Sequence, residues 1–375
     1  MFDYNTIIRI KQKRYICNDC NKTFNMKLSI VEKGCSISNT TKLKVMDEAK
    51  TKQSFKDISK RLNISCTSTI NTFTNSSSIS RNRLSEIICI DEFKANTEHG
   101  KYAFTMGNPV TGEIIDVLAS RTQEYVFHYF DKIPTEEKNK VKYFITDMYE
   151  SYRTVKKTMF KNAIHIVDRF HWIRLCTKAL NDLRIRIMKL LQKEYNASVD
   201  TDYKRELTLY MKAMKKYGKL ILANIHRKEE TYFDTLVKIP NASEEMTRQR
   251  VIELIVNCDS ELENGYSLLQ DLYKISIFSN EKNAKDNLLE WMDKAKETKI
   301  KEFNEVCKSY KSWIDEIVNS FIIDENTKKR LTNGFIEGKN NLCKVIKRIG
   351  FGYKRFDLLR NRILYISNQN QSIKI

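Results

Sequence analysis

Ile87-Ile88-Cys89-Ile90-Asp91 decides how the chain folds. Four consecutive apolar residues read as a buried central strand, because a strand covered on both faces shows no alternation. Asp91 closes that run. Downstream, Lys101-Tyr102-Ala103-Phe104-Thr105-Met106 alternates, and Asn108-Pro109-Val110-Thr111-Gly112 carries turn chemistry. Glu113-Ile114-Ile115-Asp116-Val117-Leu118 then returns as the hairpin partner. A helix through Tyr125–Phe130 precedes a second apolar run, Val141-Lys142-Tyr143-Phe144-Ile145-Thr146, which closes on Asp147. Another helix precedes the strand Ala163-Ile164-His165-Ile166-Val167-Asp168. The expectation is an α/β chain: three antiparallel strands, then strands alternating with helices, with acids at strand ends.

The chain of 375 residues is long enough for two or three domains, and 41% hydrophobic content supplies a packed core. No window reaches eighteen apolar residues, and the N-terminus lacks a signal-peptide profile. The reading is therefore a cytoplasmic protein with no membrane partner. Lys and Arg number 66 against 47 acids, a net charge of +19, which implies a polyanionic partner. The nine cysteines are mostly scattered singly within apolar runs and read as buried free thiols.

Outward from the strands, five segments are expected. Residues 1–35 hold Cys17-Asn18-Asp19-Cys20, two of the four ligands that a structural zinc site needs. That is half a zinc ribbon, and Zn²⁺ is not expected to be held. Residues 41–78 carry helix-turn-helix grammar. Phe55, Ile58 and Leu62 mark one short helix, Asn63 suits the turn, and Ser65 can cap a second helix packed through Ile70 and Phe73. Thr67, Ser68 and Asn71 would then face base edges; an ordinary helical hairpin is the blander alternative. Residues 84–190 hold the strands, 191–325 are almost wholly helical, and 326–366 return to the chemistry. Trp291 and Trp313, spaced among apolar residues, read as core anchors.

The chemistry rests on three acids. Glu337 lies in Asn333-Gly334-Phe335-Ile336-Glu337-Gly338-Lys339-Asn340-Asn341, on a helix. Phosphoryl transfer by two Mg²⁺ or Mn²⁺ ions needs converging carboxylates. Two carboxylates about 4 Å apart repel by roughly 4 kcal/mol at an effective dielectric near 20, so a cation between them is the economical arrangement. At 100° per residue Glu337, Lys344 and Arg348 share one stripe, with Phe335, Leu342, Ile346 and Ile349 on the opposite side. A basic run with interleaved aromatics follows: Lys344, Lys347, Arg348, Lys354, Arg355, Arg360 and Arg362 with Phe351, Tyr353 and Phe356. Beside a presumed active site such a run reads as a nucleic-acid contact. Asp168 could cap a helix or support the site, and His171 could touch a phosphate or brace an acid.

In order along the chain, Ile90-Asp91-Glu92-Phe93, Thr111-Gly112, Thr146-Asp147-Met148-Tyr149, Asp168-Arg169-Phe170-His171, Asn333–Asn340 and Gly352-Tyr353-Lys354-Arg355-Phe356 together resemble bacterial insertion-sequence transposases of the DDE type, ISL-three group. The resemblance implies an RNase H-like mixed sheet interrupted by a large all-helical insertion. It makes Asp91, Asp147 and Glu337 the metal-binding triad, with two Mg²⁺ (or Mn²⁺) ions per site. It implies cleavage at element ends and joining of 3′-hydroxyls to target DNA. Double-stranded DNA, as terminal repeats and target, would be the partner of a homodimer or larger assembly associated with the nucleoid. Members of the group carry an upstream Cys pair before the residues matching Tyr15–Phe24, so end recognition is the expected weak point. A DNA-binding remnant without catalysis is the alternative. An RNase H-like nuclease acting on RNA or hybrids is the third reading, and the helix-turn-helix grammar counts against it, because that motif suits the B-form major groove.

Overall fold

The computed structural model describes residues 7–76, 79–240 and 242–368. Residues 1–6 of the expected ribbon segment and 77–78 of the expected helix-turn-helix segment lie outside them. In chain order, a hairpin β1 (Arg14–Ile16) and β2 (Thr23–Asn25) precedes three helices, α1 (Asn39–Glu48), α2 (Phe55–Leu62) and α3 (Cys66–Ser76). Strands β3 (Ile87–Thr97), β4 (Gly100–Asn108) and β5 (Glu113–Leu118) follow, then α4 (Gln123–Asp131) and α5 (Thr135–Asn139). Next come β6 (Tyr143–Thr146), α6 (Glu150–Met159), β7 (Ile164–Val167), α7 (Arg169–Ala197) and α8 (Thr201–Tyr217). After α9 (Glu230–Asp234), the small pair β8 (Leu236–Val237) and β9 (Met246–Thr247) leads into α10 (Arg248–Val256) and α11 (Ser260–Phe278). The chain closes with α12 (Ala284–Glu297), α13 (Lys301–Ser312), α14 (Ile314–Val318), α15 (Gly334–Ile349) and α16 (Phe356–Ser367). The class is mixed α/β.

The chain packs as two compact units. The first comprises residues 1–142, 154–163 and 333–375; the second comprises 143–153 and 164–332. Helix α7 runs unbroken through residues 190 and 191.

In the first unit β3, β4 and β5 form the expected antiparallel set, in the order β5-β4-β3. Asp91 lies opposite Thr105, and Phe93 opposite Ala103. Two expectations are corrected here. Asp91 is not at a strand end, because β3 continues through it to Thr97. Nor does Lys101–Met106 alternate in burial: Ala103 to Gly107 are all buried. The reason is that both faces are covered. Phe93 and Ala103 pack with Cys343 and Ile346 of α15 on one face. On the other, Phe104 meets Phe130, whose ring stands edge-on to Phe160 at 4.8 Å. Gly107 permits the close approach of α15, since a Cβ there would come within 2.7 Å of the Phe335 ring.

Helix α15 is rotated from the expected phase. Its buried stripe is Ile336, Asn340, Cys343 and Ile346, while Phe335, Leu342 and Ile349 are only half-buried. The polar residue Asn340 takes a core position because β3 offers it hydrogen-bond partners. The three N-terminal helices belong to the same unit. Phe55 and Phe73 cluster with Tyr365 of α16. Arg362 of α16, 1% exposed, donates to the carbonyls of Thr51 and Gln53 and lies over the Phe55 ring at 4.7 Å. Burial lowers its pKa to about 10, so it remains charged at neutral pH. Arg360 is likewise structural, its Nε 2.6 Å from the buried Asp116. Both residues therefore leave the expected nucleic-acid run. Tyr353 and Phe356 pack against core clusters, whereas Phe351 is 92% exposed.

In the second unit β6 and β7 pair in parallel, Thr146 beside Val167, so Asp147 and Asp168 emerge at the same edge. A single large helical core contains Trp172, Trp291 and Trp313, in agreement with the reading of Trp291 and Trp313 as anchors. The Arg153 guanidinium stacks on Trp313 at 3.6 Å and pairs with Glu316 at 2.8 Å. Among the described residues, no helix is long and apolar enough to cross a membrane.

Replacing Arg362 with Met should cost about 2–4 kcal/mol, because two carbonyls lose a charged donor and the cation leaves the Phe55 ring. Urea unfolding measures it, with exposed Arg348→Met as a control shifting by less than about 0.5 kcal/mol.

Candidate functional site

Asp91 is held from two directions within the first unit. Its Oδ1 accepts the Glu92 backbone N–H at 2.7 Å, and its Oδ2 accepts the Asn340 side-chain amide at 2.8 Å. The same amide reaches the Glu92 carbonyl at 3.2 Å. Asn340 is 2% exposed, and its Oδ1 meets no partner among the described residues. Asn333, at the start of α15, donates to the Ile90 carbonyl at 2.9 Å. Thus two asparagines of one segment grip β3 on either side of the acid. Asp91 and Glu92 are half-buried and bring carboxylate oxygens within 4.8 Å of each other. Glu92 also pairs with Arg121 at 2.8 Å.

Glu337 stands three residues before Asn340 on α15, with its side chain exposed. It does not join Asp91 and Glu92 in a group drawn within 4.8 Å. Lys344 and Arg348 are exposed on the same helix, and Lys347 is half-buried. Burial, and then Lys94, hold the Lys347 ammonium below its usual pKa. Lys354 is exposed; Arg355 is tied to Asp357, which raises the one pKa and lowers the other.

The second unit carries Asp147 and its companions. The parallel register sets Asp147 and Asp168 side by side, and the Asp168 N–H donates to the Thr146 carbonyl at 2.9 Å. Asp168 caps α7 by accepting the Phe170 N–H at 3.1 Å. One turn in, His171 places Nδ1 at 2.7 Å from Asp147 Oδ1 and 3.8 Å from Asp168 Oδ2. His171 thus lies against both acids of this edge.

In the first unit's helical segment, Ser54 caps α2 and Asn63 ends it at φ 52°. Ser65 caps α3 through the Ser68 N–H at 2.9 Å. Thr67 and Asn71 are exposed; the Ser68 hydroxyl is engaged by Ser65 Oγ at 2.8 Å. Cys17 and Cys20 sit in the turn between β1 and β2. The Cys20 and Asp19 N–H groups lower the pKa of the Cys17 thiol. Among the described residues neither cysteine belongs to a group of three close metal-binding side chains.

Sequence reasoning missed the roles of Asn340, Asn333 and Glu92. Asn340 had a signal, since a polar residue in phase with Ile336, Cys343 and Ile346 must find buried partners. Glu92 had none beyond its place beside Asp91.

A family model described as transposase, of the DDE type and the ISL3 (ISL-three) group, matches residues 88–363. Among curated proteins, the transposase for insertion sequence element IS1001 of Bordetella parapertussis is 20% identical over 271 residues, 72% of this chain. The match spans 58% of that relative's length. The family match covers most of the chain, in the order β3 to α16, and includes each of the three acids: the chain belongs to the ISL3-type transposase family.

Proposed function

We propose that the protein cleaves DNA at the ends of an insertion sequence and joins the freed 3′-hydroxyls to target DNA. Asp91, Asp147 and Glu337 are the metal-binding carboxylates of this reading. The observation that carries it is the family match over residues 88–363, which contains all three acids in order. The RNase H-like assignment is part of the same proposal. It draws support from the antiparallel β3-β4-β5 set and the parallel β6–β7 pair.

The donor set suits Mg²⁺ or Mn²⁺. Hard carboxylate oxygens are what these ions prefer, and Asp91 and Glu92 bring two within 4.8 Å. When bound, divalent ions supply Lewis-acid stabilisation of the charge on the reacting phosphate. The chain's own residues hold the carboxylates. Asn340 and the Glu92 N–H fix the Asp91 oxygens, and His171 stands 2.7 Å from Asp147. Rigid outer partners of this kind hold ligands in their binding geometry. Glu337 joins as the third carboxylate from the first turn of α15.

DNA recognition is assigned to α2 and α3, with Thr67 and Asn71 exposed for base contact and Ser68 committed to the cap. Lys344, Lys347, Arg348, Lys354 and Arg355 contact backbone phosphates. A homodimer or larger assembly on DNA belongs to the same reading.

Strand cleavage and joining on duplexes bearing the element's terminal repeats, with Mg²⁺ or Mn²⁺, tests the proposal. Asp91→Asn, Asp147→Asn and Glu337→Gln should each lower joining by at least about a hundredfold. Joining that survives all three substitutions would sink the assignment. A wild-type chain that binds the repeats without cutting them would instead be a DNA-binding remnant. Asn340→Ala should weaken Mn²⁺ binding by about 10- to 100-fold in a spin-resonance titration, with DNA binding in EDTA unchanged. Asn71→Ala should cost about 1–3 kcal/mol of discrimination between repeat and random duplex, measured by competition.

A further inference from the structure

Helix α15 ends on an aromatic ring held out into solvent. The Phe351 N–H donates to the Arg348 carbonyl at 3.0 Å, and the Gly352 N–H to the Lys347 carbonyl at 3.1 Å. This pair of bonds closes a helix whose first residue beyond the cap turns left-handed. That residue is usually glycine, because a Cβ there crowds the following carbonyl. Here it is Phe351, at φ 53°, although a glycine stands on each side of it.

The turn behind the ring is tightly built. Tyr353 folds back over Gly350, where a Cβ would come within 2.5 Å of its ring, and Tyr353 itself packs against the core. Gly352, at φ 91°, lets the chain make that return. Phe351 points the other way and is 92% exposed. Packing therefore offsets neither the left-handed backbone nor the exposed ring. A bulky residue at positive φ that the fold does not use points to an interaction outside the fold.

The surroundings select the partner. Lys344 and Arg348 are exposed on the last two turns of α15, and Lys354 is exposed just after Phe351. Asp357, the one acid between residues 338 and 362, is tied to Arg355. An apolar protein surface would leave these cations unpaired. A DNA duplex offers phosphates to the cations and a base stack to the ring. We infer that Phe351 is a wedge that enters the substrate duplex between two base pairs, with Lys344, Arg348 and Lys354 on neighbouring phosphates. This rests on the proposed function, because the duplex is taken to be the substrate.

The test is binding of duplexes bearing the element's terminal repeats, by fluorescence anisotropy across a salt series in EDTA, with the full chain. Phe351→Ala should bind about tenfold more weakly, as for one lost stacking contact. Its slope of log affinity against log salt should stay that of the wild type, since no phosphate contact is lost. Phe351→Gly should bind as weakly as Phe351→Ala yet melt at a higher temperature than the wild type, because the backbone strain is relieved. Phe351→Trp should restore the affinity. 2-Aminopurine placed at successive positions of the duplex should brighten at one step with the wild type and not with Phe351→Ala. Wild-type affinity in both the Ala and the Gly variants would overturn the wedge and leave the proposed function standing. A slope that falls with the affinity, brightening at no position, or a lower melting temperature in Phe351→Gly would each overturn it too. Loss of self-association in Phe351→Ala by sedimentation velocity, with DNA affinity kept, would assign the ring to a second copy of the chain instead. Absence of duplex binding by the wild type would remove the proposed function and this inference with it.

Discussion

One side-chain amide holds the first acid. Asn340 donates to Asp91 and to the Glu92 carbonyl across 249 and 248 residues of sequence. A buried amide without partners costs on the order of 1–3 kcal/mol, so α15 has one phase on the strand in which the bonds form. That phase turns Ile336, Cys343 and Ile346 inward and leaves Glu337, Lys344 and Arg348 in solvent. A Cβ at Gly107 would then come within 2.7 Å of the Phe335 ring, so a larger residue there would have to displace it.

The net charge of +19 overstates the surface available to a polyanion. Arg362 is buried under the N-terminal helices, Arg360 belongs to Asp116, and Arg153 belongs to Glu316 and Trp313. Arg81 pairs with Glu137, whose carboxylate it holds below the usual range. These cations are structural and pair with acids, carbonyls or rings. Arg169 and Arg330 likewise donate to carbonyls at the end of α11. Charge counting cannot make that distinction; partner by partner assignment can.

The second unit shows how a parallel pair of strands positions chemistry. Its register brings Asp147 and Asp168 to one edge, and α7 starts at once, so His171 returns over both. Asp168 serves two ends, capping the helix and framing the histidine. The long helices behind it bury their apolar faces around Trp172, Trp291 and Trp313 and give this edge a rigid support.

The sequence by itself determined the element types, the β3-β4-β5 hairpin order, the helix pair with its turn at Asn63, and the ordered acids of the family. Each is written in local chemistry: apolar runs, turn residues and caps act over a few positions. Only the tertiary structure decided that β3 runs on through Asp91, that Asn340 takes a core position, and that Arg360 and Arg362 leave the basic surface. It also decided that Asp147 lies against His171 and that Arg169 and Arg330 share the Ser276 carbonyl. Those outcomes depend on partners far away in sequence, and the energy of a buried polar group is set by the partner it finds, not by its neighbours along the chain.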